Sequence, residues 1–277
     1  MPELPETETI ARDLDAALRG ARIAGAVVER PDVLRFIDGA ELARRVTGAT
    51  IDRAWRRAKL VVLDLSTGDR VVVQPRFTGA LLVEAPDAPL PERERRFSTL
   101  HLTLDDGRAL HYRDIRRLGT FALMDPARWA GYEGSLGAEP LGPGFTADHF
   151  SGILRASRQA VKKVLMDQRL VVGVGNIYAN ESLWRAGIDP SRAARDLSPD
   201  EATRLHAHVI GVLRESIAAR GTSFRDYVDA RGAKGGFVAH LAVYGREGEP
   251  CPRCGARLVG THAVDGRSTV FCARCQR

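Results

Sequence analysis

The chain has 277 residues, enough for one large domain or two modest ones, with 44% hydrophobic and 27% charged residues. That balance can bury a core and excludes a disordered chain, and no apolar run suggests a membrane span. Lysine and arginine number 41 against 35 acidic residues, for a formal charge of +6. Such a balance favours polyanionic partners such as nucleic acid without specifying one.

The first residues, Met1-Pro2-Glu3-Leu4-Pro5-Glu6, are acidic and proline-rich. They lack the charged-then-apolar layout of a secretory signal, so a cytoplasmic location is expected. The first element is a helix. Pro5 suits its first turn, Glu6 and Glu8 suit the positive end of its dipole, and Ile10, Leu14, Ala17 and Leu18 follow helical spacing up to Arg19-Gly20. Pro2 and Glu3 then sit just before its N-terminal end.

From Arg22 to Met124 the pattern changes to short strand-like runs: Ile23–Val28, Leu60–Leu65, Val71–Gln74, Ala80–Val83, Leu100–Leu104 and Ala109–Tyr112. Thr67-Gly68-Asp69 and Asp105-Asp106-Gly107 read as hairpin turns between them. Short strands with tight turns predict an antiparallel sandwich. Asp125–Pro143 is rich in proline and glycine with little periodicity and reads as a linker. The chain then becomes helical, with two short segments in Phe145–Met166 and a third over Asn176–Gly187. Ser198-Pro199-Asp200-Glu201 has the form of a capping box. The helix it opens carries Leu205, Val209, Val212, Leu213 and Ile217 as a buried stripe.

The four cysteines form C-x2-C-x17-C-x2-C, from Cys251-Pro252-Arg253-Cys254 to Cys272-Ala273-Arg274-Cys275. Each C-x2-C places two thiolates on one turn, and two turns complete a tetrahedron for one structural zinc ion with no position left open. Arg246, Arg253, Arg257, Arg267, Arg274 and Arg277 make this segment a plausible clamp on a DNA backbone. At the other end of the chain, removal of Met1 would leave Pro2 as a free amine. An α-amine has a pKa near 8, so a useful fraction is unprotonated and nucleophilic at neutral pH. Glu3 beside it could shuttle protons.

Three stretches carry a resemblance that spans the chain. Pro2-Glu3-Leu4-Pro5-Glu6-Thr7-Glu8-Thr9 resembles the start of bacterial formamidopyrimidine-DNA glycosylases. Val171-Val172-Gly173-Val174-Gly175-Asn176-Ile177-Tyr178-Ala179-Asn180-Glu181 resembles their helix–two-turn–helix signature. Val243-Tyr244-Gly245-Arg246 leading into the cysteines resembles their zinc finger.

The resemblance implies an α+β chain: an N-terminal helix and antiparallel β-sandwich, then a helix–two-turn–helix domain with a zinc-finger β-hairpin. The implied boundaries are a catalytic domain over 1–128, a linker over 129–145, a DNA-binding domain with a lesion-covering loop over 146–240, and the finger over 241–277. It implies a bifunctional glycosylase and abasic-site lyase acting as a monomer on damaged double-stranded DNA in a bacterial cytoplasm, with oxidised purines as substrate. Pro2 is the implied nucleophile, Glu3 the acid/base, Lys59 the catalytic lysine and Arg267 a phosphate grip at the lesion. Glu6, Lys162, Asn176 and Tyr244 fall on positions near the DNA, and Thr222–Tyr244 on the loop over the extruded base.

The void left by an extruded base must be filled. Phe77, in Gln74-Pro75-Arg76-Phe77-Thr78-Gly79, stands where the family has a methionine wedge, and Leu118, in Arg116-Arg117-Leu118-Gly119, where it has a phenylalanine. Arg116 keeps the position that reads the orphaned base. These departures leave open an endonuclease VIII-like enzyme for oxidised pyrimidines, against which Leu4 speaks; a reading from another class is a non-catalytic damage-binding zinc protein, against which Pro2, Glu3 and Lys59 speak together.

Overall fold

The computed structural model describes residues 2–224 and 226–277. Met1, whose removal is expected to free Pro2, and Arg225, in the expected lesion-covering loop, lie outside the described residues. The chain divides into two compact units. One takes Met1–Gly134 and Ala219–Gly236, the other Ser135–Ala218 and Phe237–Arg277.

The first unit contains α1 (Leu4–Leu18), β1 (Ile23–Val28), β2 (Leu34–Arg35), α2 (Gly39–Val46), β3 (Ile51–Arg57), β4 (Leu60–Leu65), β5 (Arg70–Gln74), β6 (Gly79–Glu84), α3 (Glu92–Arg95), β7 (Ser98–Leu104), β8 (Ala109–Asp114), β9 (Thr120–Met124) and α4 (Pro126–Gly134). The strands form a four-stranded sheet, β1-β7-β8-β6, and a five-stranded sheet, β2-β9-β5-β4-β3. Alternate residues of both feed one core: Leu100, Leu102, Leu110 and Tyr112 from the first, and Val61, Leu63, Val71, Val73, Phe121 and Leu123 from the second. Ile10, Leu14 and Leu18 of α1 join them. Val62 and Val72, of opposite parity, are buried too, so both faces of β4 and β5 are covered. Each such side chain contributes about 1.5–3 kcal/mol on burial.

Every strand pair is antiparallel except β2 with β9, a two-residue parallel pairing at the sheet edge. The expected linker over 129–145 begins inside α4, because Trp129 is buried there and packs edge-on against Trp55 at 5.6 Å. Residues 219–236 fold with the sandwich rather than with the helices that precede them. Tyr227 and Ala230 are part of its core, and Arg220 pairs with both Asp13 of α1 and Asp229.

The second unit contains α5 (Ala147–Arg155), α6 (Val161–Met166), α7 (Asn176–Ala186), α8 (Pro199–Ala218), β10 (Val259–Thr261) and β11 (Thr269–Phe271). The last two pair as an antiparallel hairpin. The expected capping box is present: the Ser198 amide donates to Glu201 Oε2 at 2.8 Å, and the Glu201 amide donates to Ser198 Oγ at 3.2 Å. Among the described residues no helix is long and apolar enough to cross a membrane.

Glu201 also accepts from Arg192 Nη1 at 2.5 Å. The Arg192 hydrogen bond, assisted by the Ser198 amide, outweighs burial and lowers the Glu201 pKa from 4.5 to about 2. A carboxylate depressed on folding adds stability that is fully present above about pH 4.5 and lost as pH falls towards about 2. Glu201→Gln should therefore lower stability by about 1 kcal/mol at neutral pH. The gap in urea midpoint between the two proteins should close across that acid window. An equal gap at pH 7 and pH 2 would contradict the assignment.

Candidate functional site

Pro2 and Glu3 are both buried, and Glu3 is the residue at which α1 begins. Glu6, one turn in, is the reason this end is ordered. Its Oε2 accepts the Glu3 amide at 2.7 Å and its Oε1 accepts the Thr222 amide at 2.8 Å. Glu6 is 1% exposed, so it does not offer a surface to DNA as expected; it ties the start of the chain to the start of the 222–236 segment.

Lys59 sits in the two-residue turn between β3 and β4, where Arg57 pairs with Leu60. The hairpin runs antiparallel to α1. The Ala54 amide donates to Asp15 at 2.8 Å near the helix C-terminus, and Arg56 donates to Glu8 at 2.8 Å near its N-terminus. The turn that follows is thereby carried to the end of α1 that bears Pro2 and Glu3. Burial would raise the Glu8 pKa, but Arg56 and Arg12 outweigh it and hold the group ionised. Ala58, directly before Lys59, has φ 55°, a left-handed conformation that costs an L-residue about 1–2 kcal/mol. Lys59 is buried.

The expected wedge residues lie in two loops at one end of the sandwich. Phe77 is 45% exposed and Leu118 43%, unusual for side chains of that size, and the Arg116 guanidinium stands 5.4 Å over the Phe77 ring.

In the second unit, one face of α7 organises the finger. Asn176 Nδ2 donates to the Ser268 carbonyl at 2.9 Å, and Asn180 Oδ1 accepts the Val270 amide at 2.8 Å. The fully buried Glu181 accepts three successive amides, from Ala242 at 2.9 Å, Val243 at 2.9 Å and Tyr244 at 2.8 Å. Lys162, expected at a basic position near the DNA, is 0% exposed. Its Nζ donates to Thr269 Oγ1 at 2.7 Å, to the Ser268 carbonyl at 3.3 Å and to Asp265 at 3.3 Å, and Asp265 in turn accepts the Arg267 amide at 3.0 Å. Lys162 therefore fixes the loop that holds Arg267, whose side chain is exposed; Tyr244 is half-buried.

The metal-binding atoms of Cys251, Cys254, Cys272 and Cys275 all lie within 4.8 Å of one another. A zinc ion bound at about 2.3 Å by four thiolates holds their sulfurs about 3.8 Å apart, so this set fits one tetrahedral ion. Cys251 and Cys272 are buried with Ala242, Val243, Leu258 and Val270, and Trp184 of α7 packs against the cluster. The site is structural: four cysteines complete the coordination and leave no position for substrate.

Sequence reasoning gave Glu181 no role, although the charge stands in an otherwise buried helical stretch. It also passed over Asp114 and Thr78, which lie beside the wedge residues. Two measurable consequences follow from these contacts. Ala58→Gly should raise stability by about 1 kcal/mol, read as a higher urea midpoint, by removing the left-handed penalty. Glu181→Gln turns an amide donor towards a backbone N–H and should cost about 2–3 kcal/mol. That loss should appear as a lower melting temperature together with faster zinc release to a chromogenic chelator; unchanged release would show that α7 does not secure the finger.

Comparison with known proteins matches these parts in order. Residues 1–121 match the formamidopyrimidine-DNA glycosylase N-terminal domain, 136–228 its H2TH domain, and 248–277 the zinc finger found in FPG and IleRS. The chain is 43% identical over 278 residues to a formamidopyrimidine-DNA glycosylase of Xanthomonas campestris pv. campestris (strain B100), and 40% identical over 280 residues to one of Roseiflexus sp. (strain RS-1), in each case covering all of both chains. It is similar to the Lactococcus lactis Fpg solved with DNA containing an abasic site, at TM-score 0.89, 32% identity and 99% of both chains. It is likewise similar to the MutM (Fpg) protein of Thermus thermophilus, at TM-score 0.86, 35% identity, 99% of this chain and 98% of that one. With three family domains in sequence and full-length relatives above 40% identity, the chain belongs to the formamidopyrimidine-DNA glycosylase family.

Proposed function

We propose that this protein excises oxidised purines, 8-oxoguanine and formamidopyrimidines, from double-stranded DNA and then cuts the strand on both sides of the abasic sugar. The observation that carries this is the convergence on one helix end: buried Pro2 and Glu3 at the start of α1, and the β3–β4 turn bearing Lys59 carried towards them by the Asp15 and Glu8 contacts. Residues 1–128 would hold the chemistry, 146–240 and 241–277 would bind DNA, and the protein would act as a monomer in the bacterial cytoplasm, at the nucleoid.

The nitrogen of Pro2, free once Met1 is removed, forms a bond to the sugar C1′. The glycosidic bond breaks, and the base leaves with its electron pair and takes up a proton. Ring opening places a proton from Glu3 on the sugar O4′ and leaves a Pro2–C1′ iminium. A secondary amine gives a permanently charged iminium, a strong electron sink. Loss of a C2′ proton then expels the 3′ phosphate, and a second elimination expels the 5′ phosphate. Water finally hydrolyses the iminium and frees Pro2. Lys59 contacts the lesion and its phosphate, while Asn176 and Arg267 grip flanking phosphates. Lys162 serves through the loop of Arg267, and Glu6 through the backbone of Glu3. Phe77, Leu118 and Arg116 enter the duplex where the base has left. The zinc finger contributes a folded platform for Arg267 and no chemistry.

Borohydride reduces an iminium to a stable amine and so traps the intermediate. Trapping is expected on duplexes carrying 8-oxoguanine opposite cytosine and on duplexes carrying an abasic site, with less on an oxidised pyrimidine. Pro2→Gly should abolish most of it, and Glu3→Gln should slow base release by about 100-fold or more. Absence of any trapped complex would rule out the enzymatic proposal, and stronger trapping on the oxidised pyrimidine would reassign the substrate.

A further inference from the structure

The two loops that carry Phe77 and Leu118 are joined through a buried carboxylate and a threonine hydroxyl. One loop leads from β5 to β6 and the other from β8 to β9, so both cross from one sheet of the sandwich to the other. The strand register sets them side by side: Gln74 pairs with Thr120 at one end and Gly79 with Asp114 at the other. The loops share a local design. Each has an arginine in the left-handed region, Arg76 at φ 51° and Arg117 at φ 52°, and in each the next residue is the exposed apolar one. A non-glycine residue in that region is strained unless its surroundings hold it there.

Asp114 supplies the hold. It is 1% exposed. Its Oδ1 accepts from the Thr78 hydroxyl at 2.5 Å in the first loop, and its Oδ2 accepts from the Gly119 amide at 2.8 Å in the second. Thr78 Oγ1 closes the link by accepting the Arg116 amide at 2.9 Å, so the residue after Phe77 and the residues on both sides of Leu118 are bound into one chain of hydrogen bonds. Tyr112 Oη adds a donor to Oδ2 at 3.4 Å, and Arg113 donates to the Thr78 carbonyl at 2.6 Å. Space is as restricted as polarity. A Cβ at Gly119 would stand 2.0 Å from Tyr112 Oη and 2.6 Å from the Gln74 carbonyl oxygen, and one at Gly79 would stand 2.2 Å from the Pro75 carbonyl oxygen. The second loop therefore packs closely on the Gln74 backbone at Gly119, and the first turns tightly on itself between Pro75 and Gly79.

We propose that Asp114, through Thr78 and Gly119, is a positioning residue that makes the Phe77 and Leu118 loops one rigid element, so that the two side chains enter the duplex together and at a fixed separation. The proposal rests on Phe77 and Leu118 being the void-filling residues. With the two loops locked together, the depth of one side chain sets the depth of the other. Opposite-base preference would then be a property of the joined loops rather than of Arg116 alone.

The test is a double-mutant cycle of Phe77→Ala and Leu118→Ala, carried out once in the native background and once in Thr78→Val, with Thr78→Ser as the conservative rescue. Thr78→Val keeps the shape of the side chain and removes the hydroxyl bridge between the loops. Two readouts are used: single-turnover excision of 8-oxoguanine opposite cytosine and opposite adenine, and fluorescence of 2-aminopurine placed beside the lesion, which reports unstacking. In the native background the two alanine substitutions should be non-additive by at least about fivefold, as expected for residues that act as a unit. In Thr78→Val the non-additivity should fall below about twofold, the cytosine-over-adenine ratio should shrink, and Thr78→Ser should restore both. A general loss of folding would lower all rates together and leave the ratio and the coupling unmoved, and that result would overturn the proposal. So would equal coupling in both backgrounds with clear single-mutant effects. If Phe77→Ala and Leu118→Ala each leave the fluorescence and the rates unchanged, the void-filling assignment itself fails and takes this inference with it.

Discussion

A chain terminus is tethered on one side only, and termini ordinarily fray. A group placed there keeps a fixed position only if something replaces the missing tether. In this protein the replacement is the Glu6 carboxylate, buried one turn into α1 and holding the Glu3 amide at 2.7 Å. The same carboxylate holds the Thr222 amide at 2.8 Å, so it links the start of α1 to the start of the 222–236 segment. Charge-assisted bonds to backbone amides are among the stronger hydrogen bonds available, and here water is excluded from them. The proposed roles of Pro2 and Lys59 depend on that end of the helix staying in place.

The motif recurs elsewhere in the molecule with other partners. Asp114 bonds an amide in one loop and a hydroxyl in another; Glu181 bonds three amides leading into the finger. In each case a regular element supplies a buried carboxylate, and an irregular segment supplies the N–H or O–H groups that would otherwise lie unsatisfied. The segments carrying the proposed DNA contacts are thus held by polar bonds to rigid elements, beside the apolar burial of residues such as Tyr227 and Val243.

How much of this was legible in the sequence differs by element. The α1 helix, the capping box at Ser198 and the C-x2-C pairs were readable because each depends on local spacing alone. Strand β3 was not: Ile51–Arg57 carries Asp52, Arg53, Arg56 and Arg57 and shows no clean apolar alternation. It is a strand because it pairs with β4 and lies on α1: Asp64 and Glu8 accept from Arg53 and Arg56, and Asp15 accepts the Ala54 amide, contacts that local spacing does not show. Helix α4 was masked by the prolines and glycines around it. At the site, residue identity was readable and residue job was not. Glu6 and Lys162 were expected to face DNA, yet both are buried and act on neighbouring backbone, because burial depends on the tertiary fold and leaves no mark on the residue itself.

The three amides held by Glu181 bear on how the finger meets its metal. The segment 242–244 is fastened to α7 before the first cysteine is reached, and the fastening uses no thiolate. Loss of the ion would release the two knuckles while β11 stays tied to Asn176, Asn180 and Lys162, which is a local opening and not a global unfolding. The four sulfurs would remain confined near one another, so recapture would proceed at the high effective concentration of a tethered reaction. Zinc binding would then have to order only the knuckles, not the whole of the unit that carries them.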